Sequence, residues 1–137
     1  VEAVALGAAL TTIFSALKAG VPEIQALFLV HSDGSVVDQC AIPRPGFDAD
    51  ALTGEYLPLL QIARRASEDM GAGRVSEHIL VTASSIVVAS YLPSNHFSIV
   101  VTSNSAHLGR LRYEIKRFSA DLERYLRGGE SGADFRR

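Results

Sequence analysis

The histidines are the first residues to question, as metal ligands and general bases. His31, His78, His96 and His107 are separated from one another by more than ten residues. No pair therefore has the i, i+4 spacing that puts two imidazoles on one helix face for zinc. His31 falls at the mouth of a turn and His96 at a strand end, where polar residues facing solvent are common. The single cysteine, Cys40, can form neither an intramolecular disulfide nor a thiolate cluster. Beside Ala41 and Ile42, with no cation close before it, it reads as a small packed hydrophobe rather than an activated thiolate.

Nucleophilic and phosphate chemistry fare no better. Ser84 and Ser85 lie in a turn without the flanking glycines of a nucleophile elbow, and read as turn residues bonded to nearby backbone. Asp48 and Asp50 suit the positive end of a helix, while Glu68 and Asp69 stand at a helix C-terminus. There is no GxxxxGK[ST] loop, and Gly71-Ala72-Gly73 follows a helix instead of a strand. No catalytic, metal or cofactor site is expected.

The elements that would position such residues are plainer. The chain has 137 residues, 47% hydrophobic and 20% charged, which suits one globular domain and excludes a disordered chain. Residues 1–17 carry one charge, Glu2, and resemble the apolar core of a signal peptide, but without a basic leader. Leu6, Leu10, Ile13, Phe14 and Leu17 form one helical stripe, so residues 2–19 are expected as an amphipathic helix ending at Gly20. Residues 24–31 and 36–42 flank Asp33-Gly34, the strongest short hairpin signal.

A second helix is expected over 48–70, capped by Asp48 or Asp50. Pro58 inside it removes a backbone donor and presses on the carbonyl four residues back, so a kink or break is expected between Thr53 and Pro58. Strands follow at 75–83, 86–92 and 97–103. The runs Ile79-Leu80-Val81 and Ile86-Val87-Val88-Ala89 do not alternate, which predicts cover on both faces. A last helix, with Ser103, Asn104 and Ser105 offering caps, recurs through Leu108, Leu111, Ile115, Phe118, Leu122 and Tyr125 or Leu126 and ends at Gly128-Gly129.

The resulting order, α-β-β-α-β-β-β-α, predicts an α+β fold: an α/β sandwich with a five-stranded, mainly antiparallel sheet and helices on both faces. Residues 1–127 form its single domain and 128–137 a frayed tail. The net charge of −2 hides an imbalance: residues 105–127 hold six basic against three acidic residues, and residues 1–104 hold five against ten. Such a face is either simply solvated or a docking surface for an acidic protein partner or a membrane, with Arg110, Arg112, Lys116 and Arg117 as the candidate docking residues. Interleaved acids argue against nucleic acid. No run is long enough to insert stably in a membrane, and one cysteine suits the cytoplasm.

Two segments carry a family resemblance: IQALFLVHSDGSVV, the first hairpin, and HLGRLRYEIKRFSADL, where Leu108-Gly109 is followed by the Arg112 helix. In these and in element order the chain resembles the Roadblock family of dynein light chains and bacterial MglB-like small-GTPase regulators. The resemblance implies a profilin-like Roadblock fold without a catalytic site. It further implies a homodimer joined across a strand edge, with paired second helices, that binds a small Ras-like GTPase. The edge nominated is the strand over 75–83, and the interface residues are Leu52, Leu57, Leu59, Leu60, Ile79 and Val81. Pro58 departs from the family's continuous second helix and bears on the helical half of that interface. Arg44, in the Pro43-Arg44-Pro45 loop, is the one arginine considered as a finger for the partner's site, and reads more simply as solvated. Two other classes remain open from sequence: a dimeric scaffold without a GTPase, and a small-molecule sensor.

Overall fold

The computed structural model describes residues 2–42 and 48–135 of the chain. The elements are α1 (Glu2–Gly20), β1 (Ile24–His31), β2 (Val36–Ala41), α2 (Ala49–Ala51), a π-helical segment (Leu52–Tyr56), α3 (Leu57–Asp69), β3 (Glu77–Val81), β4 (Ser85–Leu92), β5 (His96–Ser103) and α4 (Leu108–Phe135). The strands form one sheet in the order β2-β1-β5-β4-β3, and every neighbouring pair is antiparallel.

The first hairpin forms as its Asp-Gly pair requires. Gly34 takes φ +101°, open to glycine and costly for other residues. Asp33 Oδ1 accepts from the Ser35 amide at 2.9 Å and from its hydroxyl at 2.7 Å. These bonds from Ser35, aided by His31, hold the Asp33 carboxyl below its usual range. The register shifts between Leu29 and Val30, where Val37 is the extra residue of a β-bulge.

Strand alternation divides the core into two layers. Leu27 and Leu29 of β1, Val88 and Leu92 of β4 and Val100 of β5 pack against Leu10, Phe14 and Leu17 of α1 and Leu111, Ile115 and Leu122 of α4. On the other face Phe28, Val30, Ala89, Phe97 and Ile99 meet Leu52, Tyr56, Leu57 and Leu60. Leu10, Phe14 and Leu17 of the N-terminal stripe are thus part of the core, with Ile13 packed against it. Cys40 is half-buried against the first layer, with its sulfur 3.8 Å from Thr11 Oγ1.

The second helix shows how the proline is accommodated. Asp48 is the cap, accepting from the amides of Asp50 at 3.0 Å and Ala51 at 3.3 Å. The chain then widens into the π-helical segment, whose last bond runs from the Leu57 amide to the Leu52 carbonyl. Pro58 follows in the first turn of α3, where its missing donor costs little. A π-turn relieves the clash expected within an α-helix, so the chain changes helical register instead of breaking.

Three expectations need correction. The serines do not cap α4. Ser103 and Ser105 bond each other at 2.7 Å, and His107 Nδ1 accepts the Arg110 amide at 3.1 Å. That ring lies so close to Gly109 that a Cβ there would sit 3.2 Å from His107 Cε1, which gives the Leu108-Gly109 pair its local reason. Nor does α4 stop at Gly128-Gly129: it continues to Phe135, because paired glycines lower helix propensity by about 1 kcal/mol each without forbidding the conformation. Finally, β4 and β5 are covered on both faces but β3 is not: Leu80 is 37% and Val81 62% exposed. An edge strand has a neighbour on one side only, and the helices do not reach past it.

Candidate dimer edge and partner-binding surfaces

The nominated edge is the sheet's edge, since β3 pairs with β4 alone. Register with β4 puts Glu77, Ile79 and Val81 on the α4 side, and His78 and Leu80 on the α3 side. Tyr56 Oη lies 2.9 Å from His78 Nδ1, which fastens the start of α3 above this edge. One turn further on, Leu59 is 47% exposed and Ile62 58%; with exposed Ala66 and Met70 they make an outward apolar stripe at steps of three and four. An unpaired strand edge beside an uncovered apolar helix face is a ready template for another sheet and helix.

The six residues nominated from sequence therefore separate. Leu59 and Val81 lie on the exposed edge. Ile79 is partly buried against the α1/α4 layer. Leu52, Leu57 and Leu60 point into the protomer's own core, at 8%, 4% and 1% exposure, and are withdrawn from the interface. The physical reason is the π-turn, which sets the phase of α3 so that these leucines meet Phe28 and Phe97. Leu80 and Ile62 are exposed instead. Leu80 stood in the same apolar run, and Ile62 follows from Leu59 by helical spacing, so both signals were present.

The basic helix is quieter than its composition suggests. Glu114, buried, receives Arg110 at 3.3 Å and Arg117 at 3.2 Å. Arg112 reaches across to Glu77 on β3. Arg124 pairs with Asp121 at 2.9 Å, and Arg127 with Glu123 at 3.3 Å. Lys116 is exposed. The arginines Arg110, Arg112 and Arg117 are thus engaged within the chain, and their two partners, Glu114 and Glu77, offset half of the positive charge of the four candidate docking residues. Arg44 lies outside the described residues.

No family model matches the chain, and no curated protein matches it by sequence. Solved structures do. A Roadblock/LC7 domain from Streptomyces avermitilis superposes with a TM-score of 0.70 at 23% identity, over 82% of this chain and 92% of that one. A gliding protein MglB from Thermus thermophilus gives 0.76 at 16% identity, over 88% and 90%. A structure described as MglB with tetrameric arrangement gives 0.79 at 15% identity, over 91% and 93%. The chain has the Roadblock fold.

Within the Roadblock fold, the residues questioned for chemistry have structural partners. The turn at Ser84 and Ser85 is organised by Thr82 Oγ1, which accepts from both amides. His96 is buried, contrary to its expected exposure, because β5 runs through the centre of the sheet. Its ring meets that of His31, the residue opposite on β1, edge-on at 5.0 Å between centroids. His96 Nδ1 lies 2.9 Å from the Ser94 carbonyl oxygen, and the Ser94 hydroxyl donates to Glu123 at 3.2 Å. Among the described residues no group of three or more His, Cys, Asp or Glu could hold a metal, and no helix is long and apolar enough to cross a membrane.

The Tyr56–His78 bond yields a pH prediction for this Roadblock-fold edge. Burial pushes the Tyr56 hydroxyl up from 10.0 to about 12. Unfolded chain ionises first, so stability is complete below pH 10 and falls as pH rises from 10 toward 12. Tyr56→Phe should lose about 1 kcal/mol near neutrality from the missing hydrogen bond. It should also lose less stability than the parent between pH 10 and 12. Urea titrations of both proteins across that range measure the difference; equal alkaline losses would remove Tyr56 as the source.

Proposed function

We propose that the chain is a protomer of a bacterial, cytoplasmic, MglB-like Roadblock regulator that dimerises and binds a small Ras-like GTPase. Residues 1–127 would form its one domain. The observation that carries this reading is the uncovered β3 edge, with Leu80 and Val81 exposed beside the Leu59/Ile62 stripe. Two such edges brought together would continue one sheet into the next and lay one α3 against its copy. The likeness to MglB, including a structure described as tetrameric, supports self-association and the choice of partner class.

The regulator would alter GTP hydrolysis without chemistry of its own. His31, His78, His96 and Ser84, the candidates for chemistry, all make structural contacts. A platform can act by ordering a GTPase's own switch loops, since transition-state charge can be stabilised by residues in cis. The test mixes this chain with a small Ras-like GTPase loaded with GTP. Co-elution and a changed single-turnover hydrolysis rate are expected. Separate elution with an unchanged rate would overturn the reading and favour a scaffold without a GTPase.

A further inference from the structure

The arginines divide by their partners. Among the described residues the five on α4 are all in ion pairs. Among the same residues Arg64, Arg65 and Arg74 are in none. Instead they gather on the α3 side of the sheet, away from α4. Arg64 and Arg65 line an open cleft with Ser32, Gln61 and Glu68. The Arg64 guanidinium stands 5.8 Å from the Tyr91 ring centre and 5.6 Å from that of Phe97. Arg74 stacks over the same Tyr91 at 4.9 Å. Among the described residues Arg64 Nε is buried without a hydrogen-bond partner, so this cation is partly stripped of water, and Glu68 in the same cleft forms no ion pair with it.

The surroundings hold these groups in place before anything binds. Gln61 Nε2 donates to the Ser32 carbonyl at 3.0 Å, tying α3 to the β1–β2 turn. The loop carrying Arg74 is fastened at both ends, by Ser67 Oγ to the Gly73 carbonyl at 2.6 Å and by the Tyr91 amide to the Ser76 carbonyl at 2.9 Å. Guanidinium groups stacked on aromatic rings lose little freedom on pairing with carboxylates.

We propose that this cleft, rather than the basic face of α4, is where the chain docks an acidic segment of a partner protein, its Asp or Glu carboxylates meeting Arg64, Arg65 and Arg74. The inference rests on the reading of the chain as a partner-binding platform, but not on that partner being a GTPase. Charge complementarity selects the occupant: Arg64 and Arg65, with Arg74 beside them on Tyr91, outnumber Glu68, the acid that lines the cleft. The open shape selects a protein segment over a small oxyanion, because small ligands bind where most of their surface can be enclosed.

The probe is a fluorescent ten-residue glutamate peptide, with its glutamine counterpart as control, followed by anisotropy at low salt. The glutamate peptide should bind the parent protein and weaken as salt rises; the glutamine peptide should not bind. Arg64→Ala and Arg74→Ala should each weaken binding about ten-fold, while Arg124→Ala on α4 leaves it within about two-fold. Arg74→Ala, in an exposed loop, tests the site even if Arg64→Ala fails to fold. Arg64→Lys, which keeps charge but loses the planar stack, should fall between parent and alanine. No binding, insensitivity to Arg74→Ala, or equal loss in Arg124→Ala would each overturn the proposal. So would displacement by inorganic phosphate at matched charge, which would mark a small-oxyanion site. Because no GTPase is present, failure here is distinguishable from failure of the hydrolysis assay.

Discussion

Leu60→Ala should destabilise the protomer by about 3 kcal/mol, while Leu59→Ala, one residue away, changes it by about 0.5 kcal/mol or less. Leu60 is 1% exposed in a layer with Phe28 and Phe97, where a truncated side chain leaves a cavity that neighbouring strands cannot close. Leu59 is 47% exposed on the outward stripe. The contrast measures the helical phase set by the π-turn at Leu52–Tyr56. Urea unfolding at low concentration, where association contributes least, gives both values. Equal losses in the two variants would mean that α3 is rotated from the position described.

Lysine at the edge carries the second large effect. Ile62→Lys on α3 and Val81→Lys on β3 place a charge on side chains 58% and 62% exposed in the protomer, so neither should disturb the fold. In a dimer joined along β3 the same positions would be covered, and an unpaired cation there is costly. Lysine is also the residue that natural edge strands use to repel pairing. Each variant should raise the dimer dissociation constant about 30-fold or more, corresponding to about 2 kcal/mol. Light scattering across a dilution series, with thermal melting as the folding control, measures it.

Much of this arrangement is legible in residue order because local chemistry agrees with the final packing. Asp33-Gly34 makes its turn, the α1 stripe finds the sheet, and the edge strand lies where its apolar run suggested. The outward face of α3 is harder to read. Leu52, Leu57, Leu59, Leu60 and Ile62 surround the helix, and choosing the inward face requires the register shift that accommodates Pro58. The α4 charges were partly readable. Arg110, Glu114 and Arg117 stand at i, i+4 and i+3 steps, the spacing at which helix pairs form. Arg112 with Glu77 spans distant elements and depends on the tertiary fold. His107 escaped notice as a cap because imidazole seldom fills that role, and its signal was the glycine two residues on.

Dimerisation through β3 is the central claim, and hydrogen exchange at the sheet's two edges tests it most directly. Backbone amides of β3 that do not bond to β4 should be protected in the parent protein and exchange freely in Ile62→Lys. Those on the outer side of β2, the opposite edge, should exchange alike in both. Unprotected β3 amides in the parent at tens of micromolar, or protection that survives in Ile62→Lys, would contradict an assembly built on this edge.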